Sequence, residues 1–228
     1  MQEIIRIDLG GVNSYLIYNK EQYILVDTGG HMFLDKEYCD RREKLEESLT
    51  QIGVTEDNLK LILLTHGDND HACNAAYFSK KYKAPIAMNK GDIFLVDSPK
   101  DDCYLVNSKY RSVIFQIVFK TISKKIKALM KKVYNEFESF VPDVIISEGD
   151  TLKPYGFDGI VYHTPGHTPG SVCVLDSYGN LLCGDIWANQ KRPALAPNAS
   201  DFTQLKENAA RMKELGCKTI YPGHGLPF

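Results

Sequence analysis

The segment that most constrains this chain reads Thr-His-Gly-Asp-Asn-Asp-His at residues 65–71. It places four side chains able to bind a metal within six residues: His66, Asp68, Asp70 and His71. Carboxylates held this close repel one another and raise each other's pKa unless a cation lies between them. The segment follows an apolar run at 60–64 that reads as a buried strand. We therefore predict a metal site at the end of a buried strand, with mixed nitrogen and oxygen donors.

The remainder of the chain alternates short strands with helices in two strand-rich halves. Apolar runs between turn residues predict strands at 3–7, 12–18, 22–26, 60–64, 85–88, 143–147, 158–163, 171–175, 179–183 and 218–221. The first three are expected to form an antiparallel meander. Helical spacing predicts helices at 35–52, before Gly53, and at 201–215, with Asp201 as the N-cap. The pattern predicts an α/β fold in which two mixed sheets pack face to face, with helices outside, as a four-layer αββα sandwich.

Size and composition narrow the class of protein. With 228 residues, the chain is expected to form a single domain, 1–228. Its net charge of −2 argues against a nucleic-acid-binding protein. The first residues show no signal-peptide pattern, no apolar run is long enough to span a membrane, and the six cysteines form no C-x-x-C pair. These features predict a cytoplasmic protein with reduced thiols.

Residues 92–140 interrupt the alternation and are predicted to be a helical insertion or cap. Within them, 109–132 contains eight Lys or Arg and no Asp or Glu, together with many apolar residues. A basic amphipathic stretch of this kind packs on its own domain, covers a substrate, or lies on an anionic membrane surface. A packed cap is the favoured reading, a substrate wall is the next, and membrane contact is the least favoured.

Three later motifs each place a His or Asp near Gly or Pro and after a predicted strand. They are His163-Thr-Pro-Gly-His167-Thr-Pro-Gly-Ser171, Cys183-Gly184-Asp185 and Pro222-Gly223-His224-Gly225. Together with Val26-Asp27-Thr28-Gly29 and the 65–71 cluster, their order resembles the metallo-β-lactamase-fold hydrolase superfamily. That group includes glyoxalase II, ribonuclease Z, lactonases and the flavodiiron proteins. The resemblance runs over nearly the whole chain and implies the same αββα fold.

The resemblance also implies a site for two divalent metal ions. It assigns one metal to His66, Asp68 and His167, a second to Asp70, His71 and His224, and a bridging role to Asp185. A water or hydroxide between the metals would be the nucleophile. Asp70 would be the catalytic residue that orients this nucleophile and relays a proton.

Asp68 departs from the pattern, because most hydrolases of the superfamily have His at this position. A third carboxylate makes the ligand set harder, so among Zn, Fe and Mn the expectation shifts toward Fe or Mn. It also neutralises more of the metal charge, which weakens the Lewis acidity of the site. Flavodiiron proteins similarly have a carboxylate here, although it is Glu. Asp is shorter, so it was open whether Asp68 reaches the metal directly.

The leading functional hypothesis is a hydrolase that cleaves an ester, thioester, lactone or phosphoester. Two alternatives are kept: a non-haem di-iron redox protein, motivated by Asp68, and an RNA- or phosphodiester-processing hydrolase, which the acidic net charge disfavours. Glyoxalase II is also disfavoured, because only four residues follow His224 and leave no room for its usual C-terminal substrate-binding region.

Several residues outside the ligand set are candidates for other roles. Possible substrate contacts are His31, Tyr104, Tyr110, Trp187 and Asn189. Asp27 is expected to support a ligand or to form the turn, Thr65 and Ser171 to hydrogen-bond ligands, and His163 to have a buried structural role. The expected partner is a small-molecule substrate, possibly with an apolar acyl part. The oligomeric state is left open, with a dimer as a plausible form.

Overall fold

The structure is a computed structural model that describes residues 2–32, 35–99, 109–110, 112 and 131–228. Its strands are β1 (Glu3–Asp8), β2 (Asn13–Asn19), β3 (Gln22–Val26), β4 (Leu59–Leu63), β5 (Ile86–Met88), β6 (Lys109–Tyr110), β7 (Val144–Ile145), β8 (Ile160–His163), β9 (Val172–Leu175), β10 (Asn180–Asn189), β11 (Ala194–Leu195), β12 (Asn198–Ala199) and β13 (Thr219–Gly225). Its helices are α1 (Arg42–Ile52), α2 (Asn69–Ala72), α3 (Ala75–Tyr82), α4 (Ile93–Val96), α5 (131–136) and α6 (Phe202–Glu214).

Two mixed sheets form the centre of the molecule. The first has the order β1-β2-β3-β4-β5-β7, and its first three strands form the predicted antiparallel meander before the pairing turns parallel. In the second, β8, β9 and β10 are antiparallel, β11 pairs with β10, and β13 runs parallel to β10. A small separate sheet joins β6 to β12.

Three apolar clusters hold these layers together. Alternate side chains on β3 and β4 separate to the two faces of the first sheet, as the strand period requires. Ile24 and Leu61 pack between the sheets with Val161 and Val174. The other face of the first sheet packs on α1 and α3, and α6 covers the second sheet. The order helix, sheet, sheet, helix confirms the predicted αββα sandwich.

The helix predicted at 35–52 begins only at Arg42, because the preceding residues form a loop around a buried side chain. Arg41 is 9% exposed, has a left-handed backbone (φ 61°), and pairs with both carboxylate oxygens of Asp35. It also donates to the backbone oxygens of Gly30 and Cys39. At the other helix, Asp201 caps α6 as predicted by accepting from the N–H groups of residues 203 and 204.

Two strands are longer than predicted, and both contain a proposed ligand. Asp185 and His224 were expected in turns after strands, but they lie within β10 and β13. The two strands continue to pair past Gly184, with register shifts between residues 182 and 184 and between 184 and 188. Gly and Pro therefore mark irregular pairing here rather than chain turns, a distinction that the local sequence does not make.

The insertion predicted at 92–140 is described at its two ends and, between them, at residues 109–110 and 112, where it contributes the strand β6. Its first part contains α4 and its last part α5, and the two meet where Phe140 N–H donates to the Val96 carbonyl at 3.1 Å. Val133 and Phe137 are buried. Tyr104 and most of the basic stretch 109–132 lie outside the described residues. Within the part of the chain that is described, no helix has the length and apolar character needed to cross a membrane.

Candidate metal centre

Seven His and Asp side chains from both sheets meet at one edge of the sandwich. His66 and Asp68 follow β4, and Asp70 and His71 lie in α2. From the second half, the contributing residues are His167 in the β8–β9 loop, Asp185 in β10 and His224 in β13. All seven residues that the sequence analysis named as ligands are thus brought to one place.

The first group of side chains lies around Asp68. Its Oδ2 is 3.1 Å from Nε2 of His167 and 3.8 Å from Nε2 of His66. Nε2 of His167 is also 3.7 Å from Oδ2 of Asp185. The shorter Asp side chain therefore reaches the centre of the group directly.

The second group lies around Asp70 and shares Asp185 with the first. Oδ2 of Asp70 is 3.4 Å from Nε2 of His224 and 3.9 Å from Nε2 of His71. Asp185 directs its Oδ1 to His71 at 3.6 Å and its Oδ2 to His224 at 3.2 Å. Since Asp185 also faces His167, it lies between the two groups, which is where a bridging ligand would be.

Each of the four imidazoles is fixed through Nδ1, so that Nε2 faces the centre. His167 donates to the carbonyl of Asn198 at 3.0 Å and His224 to that of Gly11 at 2.8 Å. His71 donates to Oδ2 of Asp27 at 2.8 Å. For His66 the partner is Oγ1 of Thr65, described below. Outer partners of this kind set the tautomer and orientation of histidine ligands.

Asp27 and Thr65 support the histidine ligands of the 65–71 segment, as predicted from the sequence. Asp27 Oδ1 accepts from the Thr65 N–H, and its Oδ2 accepts from the Thr65 hydroxyl, both at 2.8 Å. That hydroxyl proton is therefore committed to Asp27. The 3.0 Å contact between Thr65 Oγ1 and His66 Nδ1 must then be donated by the ring, which leaves Nε2 of His66 with a lone pair.

When its imidazoles are neutral, the centre presents acceptors only, and some of them are buried without a partner. Nε2 of His66, Nε2 of His71 and Oδ1 of Asp185 are buried and make no hydrogen bond. Leaving one such group unsatisfied costs about 1–3 kcal/mol. A cation offsets this cost for several acceptors at once, and imidazole with carboxylate suits Zn, Fe or Mn. The residues present therefore fit one or two metal ions.

When no metal cation is bound, protons on the histidines supply part of the positive charge that the centre attracts. Burial opposes protonation of His71 and His167, but nearby carboxylates outweigh it, so the pKa of each rises to about 9. The negative charges of Asp70 and Asp27 act on His71. His167 is hydrogen-bonded to Asp68 and lies near the charge of Asp185. Burial holds the pKa of His66 well below its usual value. Although burial opposes its ionisation, the charge of His71, aided by His224, lowers the pKa of Asp70 to about 2. The centre thus attracts positive charge in whatever form is available.

Gly223 leaves the space that the second group needs. A Cβ atom at this position would overlap Oδ1 of Asp185 and lie 2.6 Å from Cε1 of His71. The glycine before His224 is therefore required by the close approach of β13 to the centre, rather than by a turn.

Of the predicted substrate contacts, Tyr110 lies beside the centre. Its strand β6 pairs with β12, so that Tyr110 is opposite Asn198, whose carbonyl holds His167. Burial, aided by the charge of Asp68, raises the pKa of the Tyr110 phenol, which therefore remains neutral. His31 is buried, stacks on Tyr38, and its Nδ1 accepts from the Cys39 N–H. Contact of either residue with substrate stays a prediction.

The position of Trp187 does not favour a substrate contact, which stays a prediction. Trp187 is 4% exposed and belongs to the apolar cluster beneath α6. Trp187 lies two residues after Asp185 on β10, in the stretch where the pairing with β13 is irregular. A sequence pattern does not reveal this irregularity. Asn189 donates to the Leu226 carbonyl at 3.0 Å and thereby holds the segment after His224. Tyr104 is outside the described residues.

His163 is half-buried rather than buried as expected, but its contact is structural, since its Nε2 donates to the Pro169 carbonyl at 2.9 Å. Sequence reasoning missed two other supports. Asn13 donates to the carbonyls of Pro222 and Gly225, on either side of His224. Asp92 accepts from both ligand-bearing loops of the first group. Both act over more than 20 residues of sequence, so no local motif could reveal them.

Comparisons with known proteins agree with this architecture. Hydroxyacylglutathione hydrolase GloC of Haemophilus influenzae is 28% identical over 188 residues, which are 81% of this chain and 70% of that protein. An uncharacterized protein of Aquifex aeolicus is 26% identical over 133 residues, 55% of this chain, and the match spans only about half (47%) of its length. The solved structure of TTHA1623 in a di-iron-bound form superposes with a TM-score of 0.66 at 22% identity, covering 99% of this chain and 93% of that one.

The family model described as the metallo-beta-lactamase superfamily matches residues 7–224. That range contains all seven clustered side chains and both sheets except for most of β1 and the last residue of β13. The chain therefore belongs to the metallo-beta-lactamase superfamily.

Proposed function

We propose that this chain is a dinuclear metal-dependent hydrolase that acts on an ester, thioester, lactone or phosphoester, with thioesters the first class to test. The observation that carries the proposal is the convergence of four Nε2 atoms and three carboxylates, with Asp185 shared between two groups. An acceptor set of this kind is built for cations. Metal ions held there would acidify a water and polarise the substrate's acyl or phosphoryl oxygen.

Asp70 and Asp185 would control the attacking water. Both stay ionised at neutral pH, since the charges of neighbouring histidines outweigh burial and hold the pKa of each carboxyl below its usual value. An ionised Asp70 accepts a hydrogen bond and orients the water, and it passes a proton onward rather than storing one. This is the catalytic role that the sequence analysis assigned to Asp70.

Support for thioesters comes from the relatives. The Haemophilus protein is named a hydroxyacylglutathione hydrolase, and two Francisella proteins with the same activity in their names are 31% identical over 94 residues. These matches weigh against the expectation from chain length that disfavoured a glyoxalase II-like activity. Identity of this level supports the reaction class more than a particular thiol or acyl group.

The test is turnover by metal-loaded protein of matched substrates with one acyl group and different leaving groups: an aryl ester, a thioester of a small thiol and a lactone, together with an aryl phosphodiester. We expect one class to reach a kcat/KM of about 10⁴ M⁻¹s⁻¹ or higher. Chelation should abolish that activity and readdition of metal restore it. Metal-loaded, folded protein that turns over none of the four would contradict the proposal.

A non-haem di-iron redox protein is the second candidate, because Asp68 adds a third carboxylate and TTHA1623 has been solved in a di-iron-bound form. The harder ligand set favours iron or manganese over zinc. Protein purified without added metal would separate the two candidates. Iron with reversible absorbance changes on reduction, without hydrolysis, would support the redox protein. Hydrolysis that persists with a redox-inert metal would support the hydrolase.

A further inference from the structure

Asp92 is a fully buried carboxylate that no ligand motif includes. It ends the short 3-10 helix Lys90–Asp92 and has no solvent exposure. Its Oδ2 accepts from the Gly67 N–H at 2.9 Å and from the Thr168 hydroxyl at 2.6 Å, and its Oδ1 accepts from the Gly170 N–H at 2.6 Å. Burying a carboxylate is costly unless it is hydrogen-bonded, so these three donors are what makes its position tolerable.

The three donors belong to the two loops that carry the first group of ligands. Gly67 lies between His66 and Asp68, while Thr168 directly follows His167. One loop follows β4 of the first sheet, and the other connects β8 to β9 of the second. Asp92 therefore ties together, across the two sheets, the loops whose separation sets the distance from His66 and Asp68 to His167.

Glycines allow the turn containing Asp92 to press against both loops. A Cβ at Gly67 would lie 3.0 Å from Cβ of Asp92, and a Cβ at Gly170 would lie 2.6 Å from its Cγ. A Cβ at Gly91 would lie 2.9 Å from Cα of Gly170. The contact is thus closely packed on both sides. Ser171 extends it, since its Oγ accepts from the Thr168 N–H and contacts the Thr168 hydroxyl at 2.7 Å.

The second group of ligands has separate supports. His71 is held by Asp27, and His224 by the carbonyl of Gly11. None of the three donors to Asp92 adjoins His224 in sequence or supports His71. Loss of the Asp92 contacts should therefore disturb the first group much more than the second.

We propose that Asp92 is a positioning residue for the metal site formed by His66, Asp68 and His167, and that the affinity of this site depends on it while the Asp70–His71–His224 site does not. The inference rests on the proposed two-metal centre. It does not require that the centre perform hydrolysis.

The test is Co²⁺ titration of metal-free Asp92→Asn, followed by visible absorption and calorimetry. Asn keeps the shape but replaces one acceptor oxygen with an N–H₂ group, so either the Gly67 N–H or the Gly170 N–H must lose its acceptor, whereas the Thr168 hydroxyl can turn to accept. We expect one of the two binding steps to weaken by about 10- to 100-fold and the other to keep its wild-type affinity. Thr168→Val, which removes one of the three contacts to Asp92 together with the hydroxyl contact to Ser171, should weaken the same step less and provides the test should Asp92→Asn fail to fold.

Asp176→Asn is the matched control. Asp176 is also a buried carboxylate, 7% exposed, with three contacts at 2.8–3.0 Å from residues 178 and 180, but it lies at the β9–β10 turn away from the centre. The Asp176→Asn variant should bind both metals as the wild type does. Unchanged binding in both Asp92→Asn and Thr168→Val, or equal weakening of both steps, would overturn the inference. Because metal affinity is read directly, a wild-type protein that binds two metals but hydrolyses nothing would defeat the proposed function alone.

Discussion

Asp185→Asn is expected to reduce hydrolysis by about 10³-fold or more and to weaken the binding of both metals. Asp185 is the carboxylate shared by the two groups, with oxygens 3.2–3.7 Å from His71, His167 and His224. The substitution preserves size but removes the negative charge that both groups use. It also replaces one acceptor with a donor that faces imidazole lone pairs. Metal content after dialysis and kcat/KM of reloaded protein measure the two effects.

The control for Asp185→Asn is again Asp176→Asn, the same chemical change in the same second half of the chain. We expect this control to retain both metals and full activity. If Asp185→Asn loses only one metal, Asp185 belongs to one site and is not shared. If it keeps two metals with wild-type affinity, the assignment of Asp185 as a bridging ligand is wrong.

Asp27→Ala is expected to lower the free energy of unfolding by about 3–5 kcal/mol and to weaken metal binding. The substitution removes the acceptor for three buried donors, the N–H and hydroxyl of Thr65 and Nδ1 of His71. It also places Ala at φ 59°, in the left-handed region that Asp tolerates better. For a chain of this size the melting temperature should fall by roughly 10 °C. Denaturant unfolding of the metal-free protein gives the change in stability without a contribution from metal.

Asp27→Asn separates the two contributions to the expected loss of stability, the missing acceptor and the left-handed backbone. Asn tolerates the left-handed backbone and supplies one carbonyl acceptor, so stability should recover in part. That oxygen can take the place of Oδ1 or of Oδ2 but not of both, so either the Thr65 N–H or the Thr65 hydroxyl and His71 lose their acceptor. The negative charge beside His71 is lost in either case, so metal affinity should remain reduced. A variant Asp27→Ala as stable as the wild type would show that the buried contacts of Asp27 contribute little to the fold. Full metal affinity in both variants would remove Asp27 from the support of His71.

The site was largely predictable because most ligands occur in short motifs at the ends of apolar runs. His66, Asp68, Asp70 and His71 are nearly contiguous, and a buried strand followed by such a cluster has few structural solutions. The sheets followed from strand periodicity in the same way. The helix start at Arg42 was not predictable, because it depends on the buried Arg41–Asp35 pair and on carbonyls brought close by the fold.

Long-range contacts explain the other differences. The burial of Trp187 was not predictable, because it arises from packing in the apolar cluster beneath α6, whose residues are distant in sequence. Asp92 was missed because its partners are 25 to 78 residues distant. Asp68 could be named as a departure from the family pattern, but its direct approach to His167 required coordinates. Sequence therefore indicates ligand types well, whereas their supports arise from tertiary structure.

Titration of chelator-stripped protein with a divalent metal shows whether these seven side chains bind two metal ions. Calorimetry at pH 7 in buffers of different ionisation enthalpy gives both stoichiometry and proton release. His71 and His167 have pKa values of about 9 in the metal-free protein, so both are protonated at pH 7 and must lose a proton when Nε2 binds a metal. We predict two metals per chain with proton release that diminishes as the pH rises above 9. Fewer than two metals, or binding without proton release at pH 7, would contradict the account.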